Sequence, residues 1–84
     1  MQVTISGRTF EVREAMIGAV IDHMQLLSEN PSKFQQLLAQ ASVYENGVLL
    51  GESLMQSVSV KGYIELISAV MRVNGFSGDA EGNA

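Results

Sequence analysis

At 84 residues, with no cysteine and a single histidine, the chain suits one thin-cored domain and lacks the ligands for a disulfide framework or a structural zinc site. Its net charge is −4, and its five Lys and Arg residues (Arg8, Arg13, Lys33, Lys61 and Arg72) are scattered, which argues against the clustered positive charge that nucleic-acid binding needs. Apolar residues make up 46% of the chain but never run for more than three in a row, whereas a membrane span takes about 20.

Only 17% of the residues are charged, against roughly 25% in an average soluble domain. So small a domain has difficulty covering itself with polar surface. Oligomerisation or a protein partner is therefore the expected means of covering the apolar excess. No basic segment followed by an apolar stretch opens the chain, so no secretion signal is expected. The lack of cysteine fits a reducing compartment, and a cytoplasmic location is expected.

Met1 to Arg13 reads as a β-hairpin turning at Ser6-Gly7. That register opposes Ile5 to Arg8, Val3 to Phe10 and Met1 to Val12, and sends all six side chains to one face. Gln2, Thr4, Thr9, Glu11 and Arg13 take the other face. Arg8, at the turn end, is expected to bend its head into water. An isolated hairpin is marginal in water, so its apolar face must lie on a helix or its edges must pair with another chain.

Glu14 to about Ser28 reads as an amphipathic helix with a stripe of Ile17, Val20, Ile21, Met24 and Leu27. Being next in the chain, it is the expected cover for the hairpin. Asn30 caps and Pro31 opens a second helix to about Glu45, striped by Phe34, Leu37, Leu38, Ala41 and Tyr44. Asn46-Gly47 is the expected stop. Val48 to Ser57 has weak periodicity and holds at most a short helix near Glu52 to Gln56. Ser57 or Ser59 caps a last helix through Val73, with Tyr63, Ile64, Ile67, Val70 and Met71 on its apolar face and Lys61, Glu65, Ser68 and Arg72 opposite. Asn74-Gly75 ends it, and Phe76 is placed to fold back on the last turn. The expected fold is mainly α, a small α+β domain with an N-terminal hairpin (1–13) and three to four short helices (14–76). The tail at 77–84, built of Gly, acidic and small residues, is expected to be disordered.

The chemistry-bearing residues form no recognisable constellation. His23 is the one side chain that titrates near neutral pH, and Asp22 beside it points about 100° away on a helix. No serine sits in a nucleophile elbow, no glycine-rich loop follows a strand, and no calcium-loop spacing occurs. Catalytic residues, cofactor and metal ligands and a small-molecule substrate are therefore not expected. Four internal methionines, Met16, Met24, Met55 and Met71, are either core fillers or parts of an adaptable binding surface. Ile17, Ile21, Met24, Leu37, Leu38, Ala41, Ile64, Ile67 and Val70 suffice for a core. That leaves Val48, Leu49, Leu50 and Met55, in the least regular stretch, as the candidate partner-binding residues.

The hairpin Val3-Thr4-Ile5-Ser6-Gly7-Arg8-Thr9-Phe10-Glu11-Val12 runs straight into Arg13-Glu14-Ala15-Met16-Ile17-Gly18, and the chain closes on a helix ending Val73-Asn74-Gly75-Phe76. This layout resembles the small tail assembly chaperones of long-tailed bacteriophages and prophages. The likeness covers residues 3 to 76 in layout and about ten positions in identity. It departs at Ala15 and Met16, where proline and threonine are more usual. The resemblance implies a protein that keeps the helical tape-measure protein soluble while the tail tube assembles, using self-association and an apolar surface. Two other readings fit the composition: a structural oligomeric adaptor of a phage particle, and a small regulatory binding module.

Overall fold

A computed structural model describes residues 1–76, and the tail at 77–84 lies outside the described residues. Strand β1 (Gln2–Ile5) and strand β2 (Arg8–Val12) pair antiparallel in the expected register, Val3 opposite Phe10 and Ile5 opposite Arg8. Met1 continues the ladder: its amino group donates to the Val12 carbonyl at 3.0 Å, and Val12 N–H donates back at 2.7 Å. Phe10 and Val12 are buried, while Gln2, Thr4, Thr9, Glu11 and Arg13 are exposed, so the two faces separate as the alternation requires.

The sheet is larger than this hairpin. Strand β3 (Val43–Glu45) pairs with β2 and strand β4 (Val48–Leu49) pairs with β3, giving the antiparallel order β1-β2-β3-β4. The domain is thus a small α+β fold with a four-stranded sheet. The expected helix to Glu45 stops earlier, as α2 (Pro31–Gln40). Asn46-Gly47 is not a helix stop but the turn of a second hairpin. Both residues take positive φ, 54° and 78°, as a type I′ turn demands. Asn74-Gly75 shows the contrast: Asn74 keeps φ −92° and only Gly75 is left-handed, at 84°. There the Phe76 N–H donates to the Met71 carbonyl at 2.8 Å and Gly75 N–H to the Arg72 carbonyl at 3.1 Å, the paired bonds of a Schellman end.

The segment after the first hairpin is the largest departure from the sequence reading. It is no continuous helix: two 3-10 turns, Ile17–Ala19 and Ile21–His23, lead into one helical turn, α1 (Leu26–Glu29). Arg13 N–H donates to the Ser42 carbonyl at 2.9 Å, extending the sheet pairing by one residue, and Met16 stays extended. Gly18, Val20, Asp22 and His23 are weak helix formers, and tertiary bonds override the apolar periodicity. Of the expected stripe, Val20 is buried and Met24 half-buried, while Ile17, Ile21 and Leu27 are exposed.

The cover of the hairpin is instead the final helix, α4 (Val60–Val73), which contacts both β1 and β2. Ser59 caps it, accepting from Gly62 N–H at 3.1 Å. Gly62 marks the closest approach: a side chain there would put its Cβ 3.1 Å from Ile5 Cγ2 and 3.0 Å from Val58 Cγ1. Leu66, Ala69 and Val70 carry the contact into the core, where they meet Phe10, Val12 and Val43 of the sheet, Phe34, Leu38 and Ala39 of α2, Val20, and Leu54 of α3 (Leu54–Ser57).

One polar junction ties these parts together. Asn74 accepts from Ala15 N–H through Oδ1 at 2.9 Å, while its Nδ2 donates to Ser42 Oγ at 3.2 Å and to the Val70 carbonyl at 2.9 Å. Ser42 is fully buried. Two stability predictions follow from this core. Phe10→Ala is expected to cost about 3–5 kcal/mol, a large share of the stability of a small domain, read as a lowered thermal midpoint. Asn74→Ala leaves the Ser42 hydroxyl and the Ala15 N–H without their partner. It is expected to cost about 1–3 kcal/mol in a denaturant titration, with unchanged helical content at low denaturant.

Candidate protein-binding surface

Helix α4 is apolar on more of its circumference than the core uses. Its small and inward residues, Gly62, Leu66, Ala69 and Val70, are buried. A second row, Val60, Ile64, Ile67 and Met71, runs along another side at spacings of four, three and four. Val60 is 79% exposed and Ile64 64% exposed, while Ile67 and Met71 are half-buried. Of the residues expected in the core, Ile67 is half-buried against it and Ile64 is exposed, while Leu66 and Ala69, not among those expected, are buried. The readable signal was residue size: small side chains mark where a helix approaches a sheet, so Gly62 and Ala69 define the inward side.

At the N-terminal end of this row, Met55 of α3 joins Leu54, Val58, Val60 and Tyr63 around an open cavity of about 150 Å³. Burial in this cluster pushes the Tyr63 hydroxyl above its ordinary pKa. The four candidate partner-binding residues are therefore not equivalent. Met55 belongs to the α3–α4 surface and is partly exposed. Val48 (63% exposed) and Leu49 lie on the edge strand β4, Leu49 opposite Tyr44 and Val48 opposite Glu45. Leu50 is half-buried against the core, its N–H donating to the Val43 carbonyl at 3.0 Å, so it serves mainly the fold.

Arg8 connects the β4 side to the α3 side. Its guanidinium forks onto Glu45, Nε to Oε2 at 3.0 Å and Nη2 to Oε1 at 2.8 Å, while Nη1 donates to the Ser57 carbonyl at 2.6 Å. It also lies 4.8 Å from the centre of the Phe10 ring. Arg8 therefore does not bend freely into water as the sequence suggested. It clamps β3, which carries the Val48 turn, to the end of the helix that bears Met55. On the outer face Arg13 stacks 4.1 Å over the Tyr44 ring and pairs with Glu11 at 2.8 Å.

A second apolar region surrounds the 3-10 turns. Met16 and Ile17 are largely exposed, and Ile17, Val20, Met24, Phe34 and Phe76 border a cavity of about 170 Å³. Phe76 folds back as expected, meeting Phe34 edge-to-face at 5.7 Å. His23 and Asp22 are exposed on a 3-10 turn. Among the described residues no group of three or more His, Asp or Glu side chains could hold a metal ion, and no helix is long and apolar enough to cross a membrane. Compared with known protein families, curated proteins and solved structures, the chain matches none.

The Arg8 clamp carries a pH prediction. The hydrogen bonds from Arg8 hold the Glu45 carboxyl below its ordinary 4.5, and Arg13 does the same for Glu11. A carboxyl lowered in the folded state stabilises the fold above its unfolded pKa, and that contribution is lost as pH falls through the lowered value. The thermal midpoint should therefore fall as the pH drops below about 4.5. In Glu45→Gln the fall should be shallower, leaving the part due to Glu11. Identical acid profiles for the two proteins would show that the clamp carries no linked proton.

Proposed function

We propose that this domain is a non-enzymatic protein-binding module acting as a phage-type tail assembly chaperone in the bacterial cytoplasm. Its client is a long, tape-measure-like helical protein, which it keeps soluble until assembly. The observation that carries this reading is the row Val60, Ile64, Ile67 and Met71 along α4, exposed at Val60 and Ile64 and half-buried at Ile67 and Met71, flanked by Met55. A row at that spacing suits the apolar stripe of a second helix, which binds through i, i+3, i+4 and i+7 anchors. Met55 and Met71 give such a surface an adaptable fit, because an unbranched thioether side chain follows many partner shapes.

Val48 and Leu49 extend the proposed surface on the other side of the Arg8 clamp. Such binding needs no bond-making step, nucleotide or metal. Apolar area leaves water at roughly 25 cal/mol per Å², and the chain's net charge of −4 favours solubility of the complex. Self-association would repeat the surface along a rod-like client. The hairpin layout and the Val73-Asn74-Gly75-Phe76 ending add the family resemblance to this support.

The test is co-expression with a long helical protein, first the one encoded just downstream, reading the soluble fraction of that client. The wild type should raise it. Leu49→Ser with Met55→Ser should lower it while circular dichroism shows the domain still folded. Removing two interfacial apolar side chains is expected to weaken association by about 2–5 kcal/mol, roughly 1.5 to 3.5 orders of magnitude. A folded double variant that keeps the client soluble as well as the wild type does removes Leu49 and Met55 from the surface. No gain in client solubility from the wild type itself sinks the chaperone reading.

A further inference from the structure

We propose that β1 is a pairing edge for a second copy of this chain, joining two four-stranded sheets into one eight-stranded sheet about a two-fold axis at Val3. The inference concerns how the chain meets itself, and it shares with the proposed function only the premise of self-association.

The sheet has two edges, β1 and β4. The two-residue turn at Ser6-Gly7 makes Ile5 and Arg8 a hydrogen-bonded pair, and alternation makes Val3–Phe10 and Met1–Val12 bonded pairs as well. The N–H and C=O of Gln2 and Thr4 then point away from β2. Among the described residues no hydrogen bond reaches them. At the other edge, Glu45–Val48 closes the turn and Leu50 N–H returns to Val43, so Leu49 alone offers outward groups. Edge β4 is thus protected by shortness.

Edge β1 lacks the usual protections. Gln2-Val3-Thr4-Ile5 contains no proline and no charge, shows no bulge in its ladder, and is rich in β-branched residues. Pairing it with itself is also chemically self-consistent. With the axis at Val3, Gln2 faces Thr4 of the other copy through both outward pairs, giving two closed hydrogen-bonded rings. On the inner face Val3 meets Val3 and Ile5 meets Met1, apolar against apolar. On the outer face Gln2 meets Thr4, polar against polar. A register displaced by one residue puts apolar side chains against polar ones, so the alternation selects its own partner. Val3 and Ile5 are only half-buried in one copy and Met1 is more exposed, so pairing covers area the fold leaves open. A four-residue strand covers less than the roughly 800 Å² per partner of a permanent dimer, so this association is concentration-dependent.

The geometry gives a residue-specific test on the full chain, which has no cysteine of its own. At the axis Val3 and its mate form a non-hydrogen-bonded pair, with Cα atoms about 4.5 Å apart, within the roughly 4.4–6.8 Å a disulfide spans. Val3→Cys should therefore cross-link in oxidised glutathione, whereas Thr9→Cys, on the interior strand β2, should stay monomeric. Adding Thr4→Pro, which removes an outward N–H and no β1–β2 backbone bond, giving up only the 3.3 Å contact between the Thr4 and Thr9 hydroxyls, should lower the cross-linked fraction at least tenfold with an unchanged circular dichroism spectrum. Should Thr4→Pro unfold the chain, the comparison of Val3→Cys with Thr9→Cys decides alone. Equal cross-linking of Val3→Cys and Thr9→Cys, faster cross-linking of Thr4→Cys than of Val3→Cys, or a wild type that sediments as a monomer at millimolar concentration overturns the proposal. None of these outcomes touches the client-solubility assay, so edge pairing and client binding fail separately.

Discussion

The side chain of Asn74 is the constraint on which the rest of the fold depends. It lies at the end of the last helix yet binds the backbone of Ala15 and the hydroxyl of Ser42, residues 59 and 32 positions away. Those are the two places where the chain leaves or rejoins the sheet. Ser42 sits at the turn from α2 into β3, fully buried, with its carbonyl taken by Arg13 N–H. A buried hydroxyl and a part-buried amide are costly to strand without partners, so one carboxamide ties together the exit of β2, the start of β3 and the end of α4. With those points fixed, α4 has to lie on β1 and β2, and the segment from Glu14 to Met24 has to find its path outside them.

That arrangement explains which parts of the fold were legible in the sequence. The first hairpin was readable to the residue, because period-two alternation and a two-residue turn leave one register that hides Phe10 and Val12. The caps at Asn30 and Ser59 and the end at Gly75 were readable for the same reason: each is a local bond between near neighbours. Three features were not local. The helix expected from Glu14 lost to bonds from Ser42 and Asn74, both far along the chain. Asn46-Gly47 and Asn74-Gly75 are the same dipeptide with different fates. The flanking Val43-Tyr44 and Val48-Leu49, β-formers on both sides, were the signal for a hairpin that was read as a helix end. The rotation of α4 is hidden in the sequence because large apolar residues occupy both of its sides.

The surface was legible in kind more than in place. Composition alone implied more apolar area than the fold can hide, and the structure shows where part of it lies, on Val60 and Ile64, on Met16 and Ile17, and on Val48. Singling out Val48 and Met55 rested on the irregularity of their segment. Leu50, chosen on the same ground, turned inward because β3 needed its N–H. Irregular backbone and free side chains are different properties. A segment without periodicity can still be pinned by its neighbours, as Arg8 shows in pinning both Glu45 and Ser57.

The placement of Asn74 also bears on the order of events at the ribosome. The inner face of the first hairpin is complete once Val12 has been made, but the helix that covers it and the carboxamide that locks it come some sixty residues later. At about 5–20 residues per second, that is roughly 3–12 s during which Phe10 and Val12 lack the cover that α4 supplies. A nascent chain in that interval offers holdases the same kind of surface that we propose this domain covers on another protein. Its yield in a cell should accordingly respond to translation speed through the second half of the message more than through the first.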